Sequence, residues 1–498
     1  MTKTLDDLRR QAKTLQKTYE AGDRAAIARV DLIKPRTGVL KRADFLHVVA
    51  QENNFASWPE LKAAVETHGM DRAARQQRLK IALYHGQGHV VQRLMTDMPD
   101  LADGAFGLQV GLFDLDAVRS VLADDPAAAT RQIGPRRPIL HLAFSKVLQI
   151  WPERQADMLA IAALLVEHGA DVNDGYPAEP GSTHLLSALY GAIGHAGNMA
   201  LGQWLLDQGA DPNDDESLYH ATELGHADGV RMLLAAGASP ARTNALKRAM
   251  DFHNAEMVDL LLDAGAGPNE DHGMTALHHA MVRRVPPAMV QRLLDAGADE
   301  TIRRQGVTAY SMARVYGVGA ELTDMLTPQP LGEAEHLLAQ AAEGVTPACT
   351  FIDPATIPEI YRHLLHDILH KDDDLAHTKA LVAIGIPWDA PNGAGLTPVQ
   401  IAGWEGLVPV LAYFLSLKPD LSHVNGFGGT LLSTIIHGSE NNPNRSGRDY
   451  LGCLRLVLAE GVALPRRAIE LAGAPEVADL LAAWAAAHPG QVVEHGIA

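Results

Sequence analysis

The residues best suited to chemistry gather near the end of the chain. The segment GTLLSTIIHGSENNPNRSGRDYLGCLRLVL, from Gly429, places His437 ahead of Ser439, Glu440, Asn441, Arg445, Arg448, Asp449 and Tyr450. Trp388, Asp389, Trp404 and Glu405 lie just upstream. A histidine close to a carboxylate supports general acid–base work, so His437 and Glu405 are the catalytic candidates if the chain is an enzyme. The arginines and aromatics around them suit ligand contact, because Trp, Tyr and Arg dominate binding hot spots. A second constellation is His363-Leu-Leu-His366-Asp367-Ile-Leu-His370. Its i,i+4 pair, His366 and His370, falls on one helix face, as the zinc motif H-E-x-x-H requires. Asp367 stands in place of the glutamate, one methylene short, and no glycine-spaced third histidine follows. G-x-S-x-G, a Walker A loop and G-x-G-x-x-G at a strand–helix turn are all absent. Gly426-Phe-Gly-Gly429 is glycine-rich in the manner of a turn. No metal and no cofactor are expected.

Composition narrows the function classes. The chain has 498 residues, with 42 Lys+Arg against 60 Asp+Glu, a formal net charge of −18. Such an acidic chain repels phosphate backbones, and its aromatics are not interleaved with basic residues, so nucleic acid is an unexpected partner. Cys349 and Cys453 are too few for a disulfide framework or a Cys-built zinc site. No apolar stretch reaches membrane-span length, and the start MTKTLDDLRRQAK is charged where a signal peptide is apolar. A soluble, cytoplasmic protein is the expectation.

The elements that must position these residues repeat. LLVEHGAD, WLLDQGAD, MLLAAGAS, LLLDAGAG and RLLDAGAD end at Gly169, Gly209, Gly237, Gly265 and Gly297, spaced by 40, 28, 28 and 32 residues. GMTALHHA, GVTAYSMA and GLTPVQIA are matching openings at Gly273, Gly306 and Gly395, with a looser PILHLA from Pro138. Thr caps a first helix and Pro sits in its first turn; the Gly after a second helix takes the left-handed terminating conformation. This pattern resembles the ankyrin repeat: a turn with G-x-T-P-L-H-x-A, a short helix, G-H, a second helix ending L-L, then G-A-D. About twelve units cover roughly residues 71–490. The resemblance implies an all-α solenoid in which each unit buries its apolar face against its neighbours. It also assigns the histidines of the L-H slot, His141, His278 and His366, to hydrogen bonds with turn backbone. The domains expected are an N-terminal helical cap (1–70), a first stack (71–327), a Pro-rich break (328–358), and a second stack with a closing cap (359–498). The cap shows helices at Thr4–Glu20, Ala25–Val30 and Arg42–Asn53, and one from Ser57; NNFASWPELKAAVE is similar to a lead-in of bacterial ankyrin proteins.

The same resemblance places a concave groove. Its lining comes from the ends of the first helices: Glu223 and Leu224, Asp251 and Phe252, Val282 and Arg283, Val315 and Tyr316, His370 and Lys371, Trp404 and Glu405, and His437. The turn tips add Asp271, His272, Arg304, Gln305, Trp388 and Asp389. The leading expectation is therefore a binding module that engages an unidentified protein partner through this groove. The alternative is an enzyme or small-molecule binder with a pocket around Trp404, Glu405 and His437.

Overall fold

The computed structural model describes residues 4–34, 40, 42–270, 273–345, 351–370, 374–442, 445–472 and 474–494. These residues form helices and turns, with two minor strand pairs. Gly175–Pro177 runs antiparallel to Leu185–Ser187, and Leu464–Pro465 runs parallel to Val492–Val493. The chain divides into two compact units, Met1–Ala266 and Gly267–Ala498.

The first unit opens with four helices, Leu5–Glu20, Arg24–Ile33, Arg42–Glu52 and Trp58–Thr67. They enclose a core of Leu8, Leu15, Val30, Phe45, Val48 and Leu61. Ser57 caps the fourth helix through its side chain, with proline in the first turn, as its sequence requires. That helix then packs on Gly88–Asp97, the second helix of the first repeat. The cap thereby covers apolar surface that an open stack would leave in water.

Repeats follow as pairs of a short inner and a longer outer helix, such as Ala245–Asp251 with Ala255–Asp263 in the first unit. Ala276–Arg283 with Pro287–Asp295 is a pair of the second. Three local features make each pair. Thr275, Thr308 and Thr430 cap inner helices with their side chains. Alanines at the helix contacts, among them Ala221, Ala249, Ala280, Ala313 and Ala402, are fully buried, which lets backbones approach. The five closing glycines take φ between 86° and 94°, a region that side chains with a Cβ avoid. Asparagines then tie successive turns together within each unit. Asn213 Oδ1 accepts from Ser239 N at 2.8 Å, and Asn269 Oδ1 accepts from Asp299 N at 2.8 Å.

Several places depart from the regular pair, among them the following. The inner helix Ala188–Tyr190 continues into a π turn, Gly191–His195, and the insertion before it forms the small antiparallel hairpin. Within the Pro-rich stretch, helix Glu333–Ala342 packs against both Ala309–Tyr316 and Leu375–Ala383.

Candidate functional site

In the second unit, inner helices Pro398–Trp404 and Leu431–Asn441 lie side by side beneath the turn Asn425–Gly429. The turn is held by Asn425, whose Oδ1 accepts from Phe427 N and Gly429 N, each at 3.0 Å. Its Nδ2 donates to Thr434 Oγ1 at 3.3 Å. Phe427 is left 80 % exposed at the tip. Between turn and helices is a half-open pocket of about 600 Å3, lined by His370, Ile401, Trp404, Phe427, Thr434 and His437. The Trp404 and His437 rings meet at 5.4 Å between centroids and 40°. His437 is exposed and Trp404 half-buried, so both present polar or aromatic surface to the groove. Asn441 Nδ2 donates to His437 Nδ1 at 2.9 Å, leaving the other ring nitrogen unengaged by that contact.

Glu405 does not join His437. It is only 3 % exposed, and its Oε1 accepts from His370 Nδ1 at 2.8 Å. A buried carboxylate on Nδ1 fixes that tautomer and leaves His370 Nε2 for the groove. The pairing is one repeat out of step with the expected His437–Glu405 pair because Glu405 ends its helix facing the preceding repeat. Nor is His370 arranged with His366 as a metal pair. His366 is buried, and its Nε2 donates to Ala390 O in the next turn at 3.0 Å. His278 makes the same bond to Val307 O at 3.0 Å, and His141 bonds Ile133 O at 3.2 Å. Burial pushes His366 and His141 down to about 4, so both rings stay neutral donors.

The remaining groove residues separate into surface and scaffold. Tyr450 is buried, and its hydroxyl and Asn442 Nδ2 both donate to Trp404 O at 3.0 Å. Burial raises that phenol to about 12, so it remains a donor. It anchors the insertion onto the end of the Trp404 helix, at a crossing where a Cβ on Gly438 would come within 2.5 Å of Trp404 O. Arg445 is exposed and donates to Asn442 O at 3.2 Å; Arg448 is half-buried. Trp388 stacks on Phe414 at 6.4 Å and 18°, while Asp389 is exposed. Tyr316 is 4 % exposed and donates to Asp367 Oδ2 at 2.9 Å, and Val315 is fully buried, so both belong to the packing. Arg283 ends its helix half-buried. Asp271, His272 and Lys371 lie outside the described residues.

In the first unit, Glu223, Asp251 and Phe252 converge on a residue the sequence reading missed, Arg248. Its guanidinium bonds Glu223 at 2.6 Å and Asp251 at 3.1 Å, and lies 4.9 Å from the Phe252 centroid. Also missed is an aromatic cluster of Tyr84, Phe144, Tyr176, Tyr190 and His195. Its members come from separate repeats and from the hairpin insertion, so no local motif announces it.

A family model described as "Ankyrin repeat" matches residues 272–305. Among solved structures, the ankyrin repeat domain of human ASB11 is similar at 17 % identity. The match covers 48 % of this chain and 96 % of that one, with a TM-score of 0.25. No curated protein matches the sequence. The matched residues hold the Thr275 cap, the His278 turn bond, buried Ala280 and the closing Gly297, features that recur in the pairs around them. Residues 272–305 thus form an ankyrin repeat, and the helix pairs around them share its features.

Proposed function

We propose that this chain is a binding module that engages a protein partner through the groove of its second unit, with Trp404, His437 and the Phe427 tip as the contact surface. Ankyrin repeats are generally protein–protein interaction modules. The observation that carries the assignment is the open placement of two large aromatics and two histidines around one half-open pocket of about 600 Å3. A scaffold has no need of such groups there, whereas loops and helix ends held by a rigid frame are common binding positions. Arg445, Arg448 and Asp389 extend the same surface as its polar rim, and in the first unit Phe252 with Glu223 and Asp251 forms a further contact patch. A cytoplasmic location accords with this role.

The test pairs affinity with stability. Trp404→Ala and His437→Ala should each weaken partner pull-down while leaving the melting temperature within experimental scatter. Loss of binding only in proportion to loss of folded protein would remove the groove from the account. A second reading, a small-molecule site, draws on the pocket's size, which lies within the range of ligand cavities. A ligand that raises the melting temperature of the parent but not of Trp404→Ala would favour it.

A further inference from the structure

The first unit holds a second pocket, of about 390 Å3, at the corresponding place between a turn and the inner helices. The turn is Ile133–Arg136, closed by Ile133 N donating to Arg136 O at 2.8 Å. The helices are Arg72–His85, Phe106–Gly111 and Pro138–Ala143. Its cationic lining is Lys80 and Arg136, beside the imidazoles of His85 and neutral His141, with no carboxylate among the residues that form it. In a chain of net charge −18, a pocket with two cations and no carboxylate stands out.

Arg136 is the centre of the site. Its guanidinium lies 4.9 Å from the Tyr84 ring, 4.5 Å from Phe144 and 4.3 Å from Tyr176. Among the described residues, its one side-chain hydrogen bond runs from Nη2 to the Tyr176 hydroxyl at 2.5 Å, and Nε is buried with no acceptor. Adjacent Arg137 shows the ordinary solution, an ion pair to Asp174 at 2.7 Å. Glu216 and Glu223, whose charges reach Tyr190 of the same ring cluster, are engaged by histidines and Arg248. A half-buried guanidinium packed among rings and without a carboxylate partner keeps donor capacity on its outer nitrogens for one. The rings hold it in place, so little rotamer freedom remains to be lost on binding.

We propose that this pocket receives an aspartate or glutamate side chain from an acidic segment of a protein partner, with Arg136 as counter-ion and Lys80 at the rim. A partner segment fits because the pocket is half-open and shares Lys80, Gly107, Leu108 and Ile133 with a neighbouring cleft of about 470 Å3. The result is a trough along which a chain can lie with one side chain turned in. This inference rests on the chain being a binding module but not on the second-unit groove, so either fails without the other.

Fluorescein-labelled hexaglutamate, titrated against the full chain by fluorescence polarisation, tests it. Saturable binding is expected, with hexalysine not competing at this pocket. Arg136→Gln should weaken hexaglutamate about thirtyfold, as loss of a hot-spot arginine does. Lys80→Gln, at an exposed position, should weaken it about two- to fivefold without altering the melt. Exposed Arg119, on the outer helix Leu115–Asp124, is the control, and Arg119→Gln should change nothing. Absence of saturable binding, or equal losses from Arg119→Gln and Lys80→Gln, overturns the assignment. Inorganic phosphate displacing hexaglutamate at equal concentration also overturns it, by placing a free anion in the pocket instead of a partner segment.

Discussion

Acidification should loosen the second unit through His366, and a single substitution should abolish that contribution. The ring is buried, donates to Ala390 O at 3.0 Å, and is held down to about 4 by desolvation, against 6.5 for a free histidine. Because the folded value is the lower one, the unfolded chain takes up the proton first. The stabilisation is therefore fully present above pH 6.5 and is lost as pH falls from there through 4. At pH 5, about 1.5 units below the unfolded value, the loss is about 2 kcal/mol from this ring alone. The structure supplies its own replacement. Gln400 occupies the equivalent slot one repeat later, and its Nε2 donates to Gly429 O at 3.3 Å without titrating. His366→Gln should thus keep the turn bond and lose the acid sensitivity. In urea denaturation at pH 7 and pH 5, followed by circular dichroism, the parent should lose about 2 kcal/mol more between the two pH values than the variant does. Equal losses in the two proteins would refute the assignment of His366 as a neutral, turn-bonding ring.

Other substitutions probe packing and site separately. Ala280 is fully buried where two helices meet, so Ala280→Leu should cost about 1–3 kcal/mol, measured by thermal melting. Gly438→Val should disrupt the crossing at Trp404, since even a Cβ would lie 2.5 Å from Trp404 O; a melt indistinguishable from the parent would contradict that contact. Glu405→Ala should lower stability by about 1–3 kcal/mol, because it strips a buried partner from His370, whereas exposed His437→Ala should stay within about 0.5 kcal/mol.

The repeat architecture was legible because it is written in local chemistry. Thr caps, close-packed Ala and closing Gly each act within one repeat, so Thr275, Ala280 and Gly297 announce their roles in a short window. The turn-bonding duty of His278 and His366 followed from the same slot. The groove was harder to read. Placing residues at helix ends points to Trp404 and His437, which line one pocket, but helix ends also face the neighbouring repeat. Glu405 turns back to His370, and Tyr316 turns inward to Asp367. Tyr450, expected among the ligand contacts, is an anchor on the Trp404 carbonyl. Arg136 and its rings escaped notice because Tyr84, Phe144 and Tyr176 are far apart in sequence and meet only once the repeats stack.

The claim that the second-unit groove is the binding face is tested most directly by site-specific photo-crosslinking in the cells that make the protein. A benzophenone amino acid is placed at Phe427, 80 % exposed at the turn tip, and in parallel at Arg455, exposed on the outer helix Tyr450–Ala459. A discrete crosslinked partner from position 427, weakened by Trp404→Ala and absent from position 455, is the predicted result. The same adduct from both positions, or an adduct from 455 alone, would contradict the account.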